Sequence, residues 1–110
     1  MTLMSLYHPD AEDLELPTVL HALSDPQRLR IVRKLSVDPD PRPCGAFDVN
    51  VSKSTCTHHF RVLREAGVIE QRQLGTARLN SLRRDDLDRR FPGLLDAVLE
   101  SAASEAVAAV

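Results

Sequence analysis

The stretch SKSTCTHHFRVLREAGVIEQRQLGTARLNSL, Ser52 to Leu82, constrains the fold more than any other part of this chain. Ser52 is a natural helix N-cap, and Cys56, Phe60 and Leu63 recur at i, i+4 and i+7. A helix over 53–66 is therefore predicted, with that stripe turned inward. Gly67 stands just past its end, where a left-handed backbone closes a helix. Two short, partly alternating runs, VIEQRQ and ARLNSL, then flank LGT, whose Gly75 supplies the freedom a hairpin tip needs.

Upstream, an acidic leader (1–15) precedes LPTVLHALS, a short helix. Asp25 followed by Pro26 is a strong start signal for a second helix, PQRLRIVRKLS. Its Leu29, Val32 and Leu35 share one face, while Arg28, Arg30, Arg33 and Lys34 fall mostly on the others. VDPDPRPCG reads as loop, since three alternating prolines sustain neither helix nor strand ladder. AFDVNV reads as a cramped helical turn anchored by Phe47, Val49 and Val51. After the hairpin (68–82), RRDDLDRRF makes a helical turn or two, and Pro92 with Gly93 separates it from a last helix within 92–108.

At 110 residues the chain is expected to be a single domain (1–110), with no apolar run near the roughly 18 residues of a membrane span. The N-terminus lacks the order of a secretory signal, which makes a cytoplasmic location the expectation. The net charge of −2 would seem to disfavour nucleic acid. Its distribution reverses that inference: Met1 to Asp25 holds five acidic residues and no Lys or Arg, whereas Lys53 to Arg90 holds nine basic against five acidic. Local charge decides phosphate contact, because screening acts over about 10 Å at 0.1 M salt.

Two helices, a short turn, a long basic helix and a ribbon make the order of a winged helix-turn-helix, mainly α with a small β-hairpin and flanking dimerisation helices. An α-helix fits the major groove of duplex DNA, and ribbon arginines can hold phosphates or enter the minor groove. Together, LHALSDPQRLRIVRKL and the Ser52–Leu82 stretch resemble the ArsR family of bacterial transcriptional repressors over roughly Leu16 to Leu87. That resemblance implies a homodimer reading a palindromic double-stranded DNA operator. It places Lys53, Ser54, Thr55, Thr57, His58 and Arg61 at or near DNA, with Arg72 and Arg78 as wing contacts. The helix's own polar face, Lys53, Ser54, Thr57, His58, Arg61 and Arg64, is nearly the same set. His59, about 100° around from His58, is expected to be partly buried.

The thiols support weaker readings. Members of the family that sense metals carry a Cys-x-Cys pair or ligands on the last helix, and this chain has one cysteine in PCGAFDV and no His or Cys after His59. No metal and no cofactor is expected. Cys44 and Cys56 are candidate effector residues for a redox or arsenical switch, and an organic effector or none at all stays open. A cysteine enzyme built on Cys56 and His59 lacks a readable orienting residue, so no catalytic residue is assigned, and the alternative of another class is a winged-helix module that pairs only with another protein. Finally, Leu95, Leu99, Ala102 and Ala106 on the last helix, with Leu16, Val19 and Leu20 on the first, form the expected dimer interface.

Overall fold

The computed structural model describes residues 6–38, 42–43 and 52–108, with the side chains of residues 42, 43, 53 and 106–108 left aside. Helices α1 (Leu16–Leu23) and α2 (Pro26–Val37) lead to strand β1 (Arg42–Pro43). Helix α3 (Lys53–Glu65), strands β2 (Ile69–Leu74) and β3 (Ala77–Leu82), and helices α4 (Arg84–Arg90) and α5 (Leu94–Ala108) complete the order. This is a winged helix-turn-helix. The predicted turn at AFDVNV lies outside the described residues, as does Cys44.

Local chemistry explains the element ends. Asp25 Oδ1 accepts from the backbone N–H of Gln27 at 2.8 Å and of Arg28 at 3.2 Å, with Pro26 at the first helical position. Ser52 Oγ accepts from Thr55 N–H at 3.2 Å and so starts α3. Gly67 closes that helix at φ 86°, and a Cβ there would collide with Leu14 Cδ2. Gly75, at φ 61° in a two-residue turn between the paired Leu74 and Ala77, has the backbone that the first central position of a type II′ turn demands.

The core gathers Leu14, Val19, Leu23, Ile31, Val32, Leu35, Phe60, Leu63, Val68, Ile69, Leu87 and Leu95, all 6% exposed or less. Half-buried Cys56 packs against it, which completes the predicted inward stripe of α3. Helix α4 is tied to α5 by Arg84, whose guanidinium lies 3.0 Å from Asp96.

Several expectations are corrected. The proline-rich loop does pair: Arg42 stands opposite Asn80 and Pro43 opposite Leu79, making a three-stranded sheet in the order β1-β3-β2. Proline is tolerated there because β1 is an edge strand. In α2 it is Arg28, not Leu29, that is buried, because its guanidinium satisfies the open carbonyl end of α1: Nε donates to Ala22 O at 2.7 Å and Nη2 to His21 O at 3.2 Å. Val19 and Leu95, assigned to a dimer interface, are 1% and 2% exposed in the single chain and are already used by its own core. The acidic leader is also part of the fold. Pro9 O accepts from Arg83 at 2.8 Å, Leu14 O accepts from Arg90 at 3.0 Å, and the Leu14 side chain is in the core.

Candidate nucleic-acid interface

Helix α3 presents two unlike sectors. Phe60 and Leu63 anchor the inner one in the core, and His59 joins them at 6% exposure. Its Nδ1 accepts from Arg28 Nη1 at 3.2 Å, since a guanidinium can only donate, and Nε2 lies 3.9 Å from Asp25 Oδ1. Burial pushes the His59 pKa down, the Arg28 charge adds to that, and Asp25 opposes both. The imidazole is thus a neutral bracket joining α2 to α3, as expected of a partly buried, hydrogen-bonding residue.

The outer sector carries Ser54, Thr57, His58 and Arg61, all exposed and within about 100° of arc at 100° per residue. Thr55 is exposed too, but its hydroxyl accepts from Ser52 Oγ at 2.9 Å and belongs to the cap. Lys53 is the first residue of the helix. Arg64 departs from the expected polar face. It is 7% exposed, and its Nη1 donates to Gln71 Oε1 at 2.7 Å. Burial lowers its pKa first, Glu65 pulls the other way, and the nearby charges of Arg78 and Arg61 lower it further.

The Arg64–Gln71 hydrogen bond identifies which side of the wing faces α3. Cross-strand pairs Ile69–Leu82, Gln71–Asn80 and Gln73–Arg78 share one face of the ribbon. Its inner part is buried at Gln71 (3%) and Asn80 (0%), and its outer part continues past the helix as exposed Gln73 and Arg78. Arg78 is held by Gln73 Oε1 at 3.4 Å. Arg72 points to the opposite face with Glu70, whose carboxylate is 3.5 Å away. The two wing arginines are therefore not equivalent: Arg78 extends the cationic sector of α3, and Arg72 backs onto a polar cleft lined by Leu6, His8, Pro9, Arg83 and Asp86.

The effector assignment stands differently for the two thiols: Cys56 is half-buried against the core, and Cys44 is outside the described residues. Among the described residues no group of three or more His, Cys, Asp or Glu side chains is placed to hold a metal ion. Of the remaining dimer residues, Leu16 and Leu20 are 42% and 44% exposed, Leu99 packs partly against the core, and Ala102 lines a groove with Leu29, Ala97 and Val98. Ala106 lies on α5, its side chain among those left aside.

A long helix capped at its N-terminus, bracketed from behind and followed by a two-stranded wing defines a winged helix-turn-helix of the DNA-binding class. The Helix-turn-helix domain family matches residues 23–72. The HTH-type transcriptional regulator YceK of Bacillus subtilis (strain 168) is 38% identical over 80 residues, 71% of this chain and 80% of that protein. The chain belongs to the HTH-type transcriptional regulators. Its fold is that of the ArsR-family winged helix-turn-helix proteins. An ArsR family transcriptional regulator superposes with a TM-score of 0.62 at 19% identity, covering 81% of this chain and 92% of the other. The transcriptional repressor BigR from Xylella fastidiosa gives 0.59 at 24% identity, covering 76% and 81%. An ArsR-like transcriptional regulator from Rhodococcus sp. RHA1 gives 0.57 at 23%, covering 82% and 80%.

Proposed function

We propose that this chain is a cytoplasmic, homodimeric transcriptional repressor that reads a palindromic operator, and that it is not an enzyme. One α3 enters the major groove of each half-site, with Ser54, Thr57, His58 and Arg61 toward the bases and Lys53 and Thr55 near the backbone. Arg78 of each wing reaches the flanking phosphates or minor groove, while Arg72 reaches DNA only around the ribbon's edge. The observation that carries this reading is the Arg64–Gln71 hydrogen bond, which sets the ribbon face bearing exposed Arg78 against the helix whose outer sector is Ser54, Thr57, His58 and Arg61. The fold's likeness to a protein described as a repressor supports the direction of regulation.

Dimerisation follows from what one chain leaves uncovered. Leu16 and Leu20 on α1 are exposed, and the groove lined by Leu29, Ala97, Val98 and Ala102, together with Ser101 and Glu105, is mainly apolar and left open among the described residues. A two-fold dimer through α1 and α5 buries them and spaces the two α3 helices for half-sites about one helical turn, about 34 Å, apart. The test is titration of the protein against its own upstream intergenic DNA by fluorescence anisotropy at several salt concentrations. Tight binding that weakens steeply with salt and saturates at one dimer per palindrome is expected; equal binding to any duplex would reject sequence reading.

A further inference from the structure

The DNA-facing residues leave one connected set of buried polar groups without a role. Arg64 Nη1 donates to Gln71 Oε1 at 2.7 Å, and Gln71 Nε2 donates to Asn80 Oδ1 at 2.7 Å. The chain of bonds thus runs from the last turn of the reading helix through β2 into β3. Gln71 is also held by its backbone: its N–H donates to Nε2 of His8 at 2.9 Å. Because β2 is an edge strand, that N–H points away from the sheet and would otherwise meet water.

His8 is itself fixed. Its Nδ1 donates to Leu6 O at 3.0 Å, which leaves Nε2 to accept from Gln71 N–H. The leader that carries it is tied down at Pro9 and Leu14 by Arg83 and Arg90. Gln71 is therefore gripped from two sides, by the leader on its backbone and by the reading helix on its side chain. Arg78 pairs with Gln73, two residues along β2 and about 7 Å further out. A rotation of the ribbon at Gln71 is carried outward to the DNA-facing arginine.

We infer that His8, acting through Gln71, is a positioning residue for DNA reading: it sets the wing against α3 so that Arg78 and Arg61 engage one site together. This rests on the reading of the chain as a DNA-binding regulator. His8 itself touches no DNA. The leader thereby becomes a strap that tunes affinity from outside the contact surface.

The test is a cycle of four proteins, wild type, His8→Ala, Arg78→Ala and the double variant, titrated against operator DNA, with His8→Gln as a fifth. Thermal melts, run alongside, give the folded fraction by which each affinity is corrected. His8→Ala weakens binding by about three- to tenfold, the scale of one lost hydrogen bond. His8→Gln, whose side-chain oxygen stands near the place of Nε2, restores most of it. In the Arg78→Ala background, His8→Ala has no further effect. An equal loss in both backgrounds, or a His8→Gln variant as weak as His8→Ala, would overturn this proposal and leave the DNA reading intact. An Arg78→Ala variant that binds like wild type would overturn the wing reading and this proposal with it.

Discussion

The guanidinium of Arg28 donates to Nδ1 of His59 at 3.2 Å, and that bond ties α2 to α3, the helix proposed to read DNA. The same guanidinium closes the carbonyl end of α1, so one buried cation holds three helices in register. Its charge is offset by the Asp25 carboxylate near His59 and by the carbonyl dipoles it meets.

Arg28→Ala is expected to destabilise the protein strongly, because Ala22 O and the His59 imidazole lose the guanidinium donor together, and His21 O loses one of three donors. The loss should be about 2–3 kcal/mol in urea denaturation, the scale for buried charged hydrogen bonds. Arg30→Ala, an exposed position on the same helix, should change stability by less than about 0.5 kcal/mol.

His59 makes stability depend on pH in a definite direction. Burial, with the Arg28 charge, holds its pKa below the ordinary 6.5. The unfolded chain therefore binds more protons between those two values, and the His59 contribution is fully present above about pH 6.5 and lost as pH falls through the folded pKa. Asp25 is lowered from 3.8: burial raises it, but the N–H groups of Arg28 and Gln27 and the charges of His59 and Arg28 outweigh that. Its contribution is lost only in acid below about 3.8, so the two windows separate. Between about pH 7.5 and 5.5 wild type should lose more stability than His59→Gln, read from urea midpoints. Parallel curves would mean that His59 is not held neutral.

Gly67→Ala should destabilise by more than the about 1–2 kcal/mol that a left-handed backbone costs an L residue, because the new methyl also strikes Leu14. Gly93→Ala, at a similar positive φ but with open space around it, should incur the backbone cost alone. The difference between their melting temperatures isolates the packing of the leader onto α3.

Substitutions on α1 should separate assembly from folding. Leu20→Asp, at an exposed site, should give a monomer with an intact fold by sedimentation and circular dichroism. Val19→Asp, one residue away but 1% exposed, should abolish folding itself.

How much of this was legible follows from where each residue's partner lies. Both helix caps, the inward stripe of α3 and the Gly75 turn depend on neighbours within a few positions, and the sequence pattern places them. Arg28 was misplaced because helical periodicity counts every arginine as solvent-facing, while the carbonyls that bury it belong to α1. Arg64 failed for the same reason: its acceptor, Gln71, sits on the wing. Strand parity could have found Gln71 and Asn80, since each stands two residues from an inward apolar position, Ile69 and Leu82. The leader offered no periodicity at all, and its order rests on contacts to Arg83 and Arg90, which lie 74 and 76 residues along the chain.

The most direct test of the account is the salt dependence of operator affinity for wild type, Arg61→Ala, Arg78→Ala and Arg72→Ala. Each phosphate contact contributes about 0.9 to the slope of log affinity against log salt. If α3 and the inner face of the wing meet DNA as one surface, Arg61→Ala and Arg78→Ala should each weaken binding. Whichever of them holds a phosphate should also flatten the slope by about one unit, while Arg72→Ala leaves it nearly unchanged. A flattened slope in Arg72→Ala with Arg61→Ala and Arg78→Ala like wild type would contradict the account and put the opposite face of the wing on the DNA.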